Sequence, residues 1–371
     1  MRKRIVEQKR KYGSSDLIDD HPLPVVTPVR QAIEQRKSEH LDIVLSGEGS
    51  ARHTTTGLER VRFEHCALPE LNLDDIRLST PFLGRMISAP FLISSMTGGP
   101  LAAGRINAAI AEAAGATKVA FAVGSQRIAL EGHGDHGFDR RLRARAGPVP
   151  ILANFGAVQL KEWDGVTMAL RAVEMIDADA LILHINPLQE AVQSGGDRDW
   201  SNLLHCIEVL TRSISIPVAV KEVGAGISGA VARRLWNAGI KIIDVAGAGG
   251  TSWAAVEAAR SRNLAFRAVG EAFRDWGIPT ADAIRDVREL CPEATLIASG
   301  GIRDGVDAAK AIRLGANIVG QAAGILPAAM EGPARLAEHI GVVIEQLRIA
   351  CFCSGSADLE QLKNAPLVGS A

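Results

Sequence analysis

Three strings in this chain hold groups that could do chemistry together. His184-Ile185-Asn186-Pro187-Leu188-Gln189-Glu190 places an imidazole, two carboxamides and a carboxylate within seven residues. Val220-Lys221-Glu222-Val223-Gly224 puts a lysine at the end of an apolar run. Ala298–Arg313 reads as a strand end, a Gly300-Gly301 turn, Arg303, and then a helix capped by Asp304. Backbone N–H groups freed by such a turn point at an anion, and Arg303 would add a charge. The same glycines also serve an ordinary tight βαβ turn. A fourth string, Arg36-Lys37-Ser38-Glu39-His40, sets two cations beside a histidine. It suits a diphosphate, although a cluster of this kind is more often a solvated helix turn.

The elements that must position these groups are short and regular. Eight apolar runs read as strands: Phe91–Ser95, Val119–Val123, Pro150–Ala153, Ala180–Leu183, Pro217–Val220, Ile242–Val245, Thr295–Ala298 and Asn317–Gly320. Helical patterns lie between most of them. The last one puts Val306, Ala309 and Ile312 on one face, stops at Gly315, and is followed by a second glycine turn, Gln321-Ala322-Ala323-Gly324. Residues 128–148 show no clean helix, and 260–280 reads as an insertion. Parallel strands need crossovers, and helices supply them. The predicted fold is therefore α/β, a (β/α)8 TIM barrel over residues 81–350 with an N-terminal extension. Residues 1–30 are expected to be a disordered basic arm, and 31–80 a segment that contacts the substrate. Residues 351–371 form a C-terminal tail, loose from 354 onward. An open doubly wound sheet would need a GxGxxG turn after its first strand, and Met96-Thr97-Gly98-Gly99 is not one.

In a barrel of this kind the strand C-termini share one mouth. Thr97, Ser125, Arg127, Asn154, His184, Asn186, Gln189, Glu190, Lys221, Thr251 and Arg303 all fall at or just past such an end. Strand-end Ser, Thr and Asn can hydrogen-bond the edge of a flavin ring. A lysine ending the fifth strand can sit where a cation stabilises the anionic reduced flavin, and the glycine turns can take its phosphate. Lys221 has a structural alternative, a buried ion pair with Glu222 or a neighbouring strand-end acid. His184 alone reads equally as a satisfied core histidine, and Gln189 as a supporting group.

The totals exclude other classes. A net charge of −1 argues against nucleic acid as the main partner. Five cysteines without CxxC spacing argue against a zinc site and read as reduced thiols in a cytosolic, cytoplasmic protein. The basic N-terminus has no apolar stretch behind it, and no run of 18 apolar residues occurs, so neither a signal peptide nor a membrane span is expected.

Taken together, Arg36-Lys37-x-x-His40, Ser95-Met96-Thr97-Gly98-Gly99, Gly124-Ser125-Gln126-Arg127 and His184-x-Asn186-x-x-Gln189-Glu190 resemble the type 2 isopentenyl-diphosphate isomerases. So do Val220-Lys221-Glu222-x-Gly224, Asp244-Val245-Ala246-Gly247-x-Gly249-Gly250-Thr251-Ser252-Trp253, Phe273-x-Asp275-Trp276-Gly277-Ile278-Pro279-Thr280 and Ser299-Gly300-Gly301-Ile302-Arg303. The resemblance runs from about residue 36 to about residue 330. It implies an FMN-dependent barrel that interconverts isopentenyl and dimethylallyl diphosphate. Such an enzyme needs Mg²⁺, needs NADPH or another reductant to reduce the flavin, and works as a tetramer or octamer.

By the same resemblance, FMN contacts fall on Ser95, Met96, Thr97, Ser125, Asn154, Lys221, Thr251, Gly301, Ile302, Arg303, Ala322 and Ala323. Substrate contacts fall on Arg36, Lys37, Ser125, Arg127, His184, Asn186 and Gln189. Glu190 is the implied Mg²⁺ ligand, and His184, Gln189 and Lys221 the catalytic set. Reduced FMN is the expected acid/base group, because the mouth shows no paired carboxylates to protonate an alkene. Trp253 would wall the pocket. The alternatives are an FMN-dependent 2-hydroxyacid oxidase and a non-catalytic phosphate-binding barrel. The oxidase would need a histidine after a late strand, where this chain has Gly-Thr-Ser-Trp. A purine-nucleotide dehydrogenase barrel would need a loop cysteine, and Cys206 and Cys291 fall in or beside predicted helices.

Overall fold

A computed structural model describes residues 28–96, 101–132, 137–162 and 164–369. The arm expected over residues 1–30 lies outside them up to residue 27, and Thr97 lies outside them too. After the helix Pro28–Ser46, the first strands form a hairpin, β1 (Thr80–Phe82) and β2 (Arg85–Ile87). Its turn puts Leu83 and Gly84 at φ 50° and 72°, the positive-φ pair that matches strand twist in a two-residue loop.

Eight parallel strands follow. They are β3 (Phe91–Ile93), β4 (Ala120–Ala122), β5 (Ile151–Gly156), β6 (Ala180–His184), β7 (Val218–Lys221), β8 (Ile242–Asp244), β9 (Thr295–Ala298) and β10 (Ile318–Gln321). They pair in order, and β10 closes the ring on β3, giving the expected barrel. All eight predicted strands form, β9 with both ends as predicted and the others with ends shifted by at most three residues.

The strands are buried on both faces, so each reads as an unbroken apolar run. One set of residues fills the barrel: Leu92, Ala120, Ala122, Leu152, Ala180, Ile182, Ala219, Ile242, Ile297 and Ile318. Phe82, Leu83 and Ile87 of the hairpin pack against this set and plug the end opposite the mouth. The alternate set, including Phe91, Phe121, Leu181, Val220, Ile243 and Val319, packs outward into the helical layer. Side chains alternate along a strand, so the inner set continues one step up to Ser94, Asn154, His184, Lys221, Asp244 and Ser299.

Three segments depart from the sequence-based expectation. Among the described residues of 127–148 there are two short helices, Arg127–Leu130 and Arg141–Ala146, the second ended by Gly147 at φ 63°. The insertion at 260–280 contains a helix, Leu264–Ala272, whose N-terminal amides at Ala265 and Phe266 are capped by the Asn263 side chain. Its apolar residues Leu264 (80%), Phe266 (46%) and Val269 (51%) are exposed, so no buried stripe marks it in sequence. The tail is pinned rather than loose. Leu359–Lys363 is a helix capped by Asp358, Leu362 is fully buried, and Glu64 N–H and Val368 N–H bond Pro366 O and Arg62 O at 2.9 Å. Its partners lie some 300 residues away in the chain, where local patterning cannot see them.

Candidate active site

The inward polar ring forms the floor of the mouth. Asn154 donates from Nδ2 to Val123 O at 3.0 Å, which leaves its Oδ1 to accept from His184 Nδ1 at 2.8 Å. That arrangement puts the imidazole proton on Nδ1 and a lone pair on Nε2. Burial, reinforced by the nearby charges of Lys221, Lys37 and Arg127, pushes the His184 pKa down to about 3, so the ring is neutral.

Lys221 stands between His184 and Asp244 in strand register. Its Nζ donates to Glu222 O at 2.6 Å. The Glu222 carboxylate turns away and accepts N–H groups from Val223, Gly224 and Ala225 at 2.5–2.7 Å. The Lys221–Glu222 side-chain ion pair is therefore not formed, and of the two acids whose charges act on the lysine Asp244 has the larger effect and Glu222 the smaller. Burial pushes the Lys221 ammonium down and the Asp244 carboxyl up, and each is opposed by the other's charge. Asp244 accepts from Ser299 Oγ at 2.6 Å, which ties this pair to the residue preceding Gly300. Strand register and these bonds thus set Asn154, Lys221 and the glycine turn on a single rim.

At the glycine turn, Gly300 and Gly301 have φ of 98° and 70°. A Cβ on Gly250 would meet Gly301 N at 2.6 Å, so three glycines crowd here without side chains. Among the described residues, Gly301 N–H and Ile302 N–H bond no protein acceptor. Arg303 reaches Asp307 with Nε at 3.2 Å and is 74% exposed. Thr251 forms an antiparallel bridge with Ser50. Ala322 and Ala323 follow β10 and open a short 3₁₀ turn. Ser95 and Met96 follow β3 and are half-buried. The hydroxyls of Ser94 and Ser95, Asp244 Oδ2 and Gln321 Nε2 are buried without a partner.

A second tier lies over this ring. The helix Pro28–Ser46 carries Arg36 and Lys37. Burial and the neighbouring Arg36 push the Lys37 pKa down to about 7. Ser125 is half-buried after β4. Arg127 pairs with Glu131 (2.7 Å) and Asp197 (3.3 Å). Asn186 is buried, and its Nδ2 donates to Gln189 Oε1 at 3.1 Å and Glu190 Oε1 at 2.8 Å. Glu190 Oε2 accepts Asp197 N–H at 2.8 Å. Among the described residues no three His, Cys, Asp or Glu side chains converge as a metal cage. His40 bonds Glu257 Oε1 at 3.0 Å and meets Trp253 edge-on at 5.1 Å. Gln189 Nε2 donates to the same Glu257 oxygen at 3.1 Å, and Arg260 holds the other at 2.6 Å.

The sequence reading missed Ser94, Asp244, Ser299 and Glu257. The first three lie two residues beyond an inner-layer aliphatic, but strands buried on both faces do not show in sequence which aliphatics those are. Glu257 is the only acid in the Trp253–Arg260 helix and is 4% exposed, but sequence gives no sign that its face is buried.

A family model described as FMN-dependent dehydrogenase matches residues 29–131 and 167–368. Isopentenyl-diphosphate delta-isomerase of Stutzerimonas stutzeri is 60% identical over 91% of this chain and 98% of its own. The proteins of that name from Pseudescherichia vulneris and Nostoc sp. are 56% and 48% identical, over 91% and 92% of this chain and 97% of each relative. Among solved structures, a lactate oxidase of Pediococcus acidilactici superposes with a TM-score of 0.64 at 16% identity, over 91% of this chain and 94% of that one. A mandelate oxidase with (S)-2-phenylpropionate gives 0.61 at 18%, over 92% and 98%. These two likenesses concern the fold.

Proposed function

Because the chain belongs to the FMN-dependent dehydrogenase family, and within it to the isopentenyl-diphosphate delta-isomerases, we propose that its barrel mouth moves the double bond between isopentenyl and dimethylallyl diphosphate. The observation that carries the assignment of residues is the polar ring. Lys221 lies in register between a neutral His184 and Asp244, and Asp244 is bonded to the residue that begins the glycine turn.

The residues fit an FMN. Gly301 and Ile302 would offer their free amides to its phosphate, and Arg303, Thr251, Ala322 and Ala323 would lie around that end. Ser95, Met96, Ser125, Asn154 and Lys221 would meet its ring edge, where partnerless buried hydroxyls lie nearby. Thr97 completes this set as an expectation from the sequence. When bound and reduced, FMN supplies an electron-rich ring able to exchange a proton with an alkene.

The chain's own groups bind and orient. Arg36, Lys37, Arg127, Ser125, His184 and Asn186 direct charge and donors at the diphosphate. A diphosphate brings negative charge to His184 Nε2 and Lys37 and favours protons on both. Gln189, fixed by Asn186 and Glu257, would face the reacting end of the substrate. Glu190 is the one carboxylate offered to Mg²⁺, an arrangement that suits an ion completing its octahedron with water and phosphate oxygens. Trp253 walls the pocket beside Gly224. NADPH as reductant, a cytoplasmic location and a tetrameric or octameric assembly complete the proposal. No helix among the described residues is long and apolar enough to cross a membrane.

The test is an anaerobic assay with isopentenyl diphosphate, Mg²⁺, FMN and NADPH. Dimethylallyl diphosphate should form without net consumption of NADPH. Stoichiometric NADPH loss, or no product from a yellow, reducible protein, would refute the isomerase assignment.

A further inference from the structure

One motif, Phe273-x-Asp275-Trp276, lies outside the polar ring, and its Asp275 bonds the N-terminal segment. Residues 47–57 form a strap between the end of the Pro28–Ser46 helix and the body of the barrel. The strap runs along the loop after β8. Ser252 N–H bonds Gly49 O at 2.7 Å, and Ala51 N–H bonds Gly250 O at 3.1 Å. Further on, the Thr56 methyl lies where a Cβ on Gly301 would come within 2.5 Å of it. One end of the strap therefore leads to Arg36 and Lys37, and the other touches the glycine turn.

What fastens the strap is a pair of residues more than 200 positions later. Asp275 Oδ1 accepts three consecutive backbone N–H groups, from Arg52 (2.8 Å), His53 (2.8 Å) and Thr54 (3.0 Å). Thr54 Oγ1 returns a bond to Asp275 O at 2.7 Å. Arg274 is buried and donates from Nη1 to Glu48 O (2.7 Å) and Ser50 O (2.8 Å). Glu271 orients that guanidinium through a two-point contact at 2.8 and 2.6 Å. Five of these six bonds to the strap carry a formal charge on one partner, the stronger class of hydrogen bond. All but one of them address its backbone, so they fix its path whatever its side chains.

Resting on the isomerase reading, we propose that Arg274 and Asp275 are positioning residues that dock the strap. Through it they dock the helix carrying the diphosphate-binding cations onto the mouth. Neither touches substrate or flavin. Undocking lowers the fraction of molecules whose mouth is complete, and apparent substrate affinity falls by that fraction. Turnover in the complete fraction is unchanged.

The experiment uses the full-length FMN-loaded enzyme with Asp275→Ala, Asp275→Asn and Arg274→Met, reading kcat, KM for isopentenyl diphosphate, FMN retention and amide hydrogen exchange. Asp275→Ala is expected to raise KM about tenfold with kcat within about threefold, and to speed exchange at residues 50–56 while residues 218–221 stay protected. Asp275→Asn, which keeps an acceptor oxygen, should fall between it and the wild type. Arg274→Met gives an independent KM reading should Asp275→Ala not fold. Faster strap exchange with unchanged KM overturns the proposal, as does unchanged exchange. A fall in kcat with loss of FMN and of protection throughout the barrel also overturns it. A wild type inactive on isopentenyl diphosphate refutes the isomerase reading instead, while the exchange data still report on the strap.

Discussion

At the scale of single residues, burial sets the charge states of the groups assigned to the proposed site. Lys37 has its pKa pushed down to about 7, against an ordinary 10.5. Near neutral pH it is about half protonated, and a bound diphosphate pulls it toward the cation. Calorimetry in buffers of different ionisation enthalpy should show uptake of about half a proton per substrate at pH 7, growing toward one at pH 8. KM should rise with pH above 7, and Lys37→Met should flatten that rise. The sign for stability is opposite to that of a favourable ion pair. Between about 7 and 10.5 the unfolded chain holds more protons than the folded one, so the destabilisation by this buried cation fades as pH rises. Glu190 gives a separate prediction. Glu190→Gln should cut Mg²⁺-dependent turnover by about a hundredfold or more, with FMN still bound, as flavin absorbance would report. Loss of FMN in that variant would contradict a metal role.

At the scale of elements, the proposed phosphate site rests on the strand–turn–helix unit around β9. Gly301 has a φ of 70°, and a Cβ there would sit 2.5 Å from Thr56 Cγ2 and 2.8 Å from Gly249 O. Gly301→Ala therefore strains the turn and pushes the strap and the β8 loop away together. The expected result is a protein purified largely without FMN, with a melting temperature lowered by several degrees, about 1–3 kcal/mol of strain. Full FMN occupancy in that variant would remove the glycine turn from the phosphate site. The missed helix Leu264–Ala272 belongs to the same scale. Its apolar side chains are exposed while its buried face carries Gly270 against Ala258, so its pattern runs opposite to the usual amphipathic rule.

At the scale of the whole molecule, the barrel is closed at one end by the β1–β2 hairpin and tied at the other by segments remote in sequence. The tail is one such tie. Leu362 is fully buried in the larger core. Leu362→Ala should cost about 2–5 kcal/mol in denaturant unfolding, with KM and flavin content unchanged, since bonds from the described tail residues run to Arg62, Glu64, Arg77 and Arg313. An unchanged unfolding midpoint would mean that the tail is a passive appendage.

The amino-acid sequence by itself determined the barrel. Eight apolar runs buried on both faces, each ending in polar or glycine residues and mostly separated by helical periodicity, admit few other closed arrangements. The same pattern placed Asn154, His184, Lys221 and Gly301 at strand ends. Tertiary structure alone decided which strand-end residues face inward, because strands buried on both sides show no alternation to read. Hence Ser94, Asp244 and Ser299 surface only when the barrel is closed. It also decided the partners: that Glu222 bonds its own loop while Asp244 faces Lys221, that Glu257 joins His40 to Gln189, and that Arg274 and Asp275 grip a strap some 220 residues earlier. Those contacts join residues far apart in the chain, and local propensity, which acts over a few residues, carries no record of them.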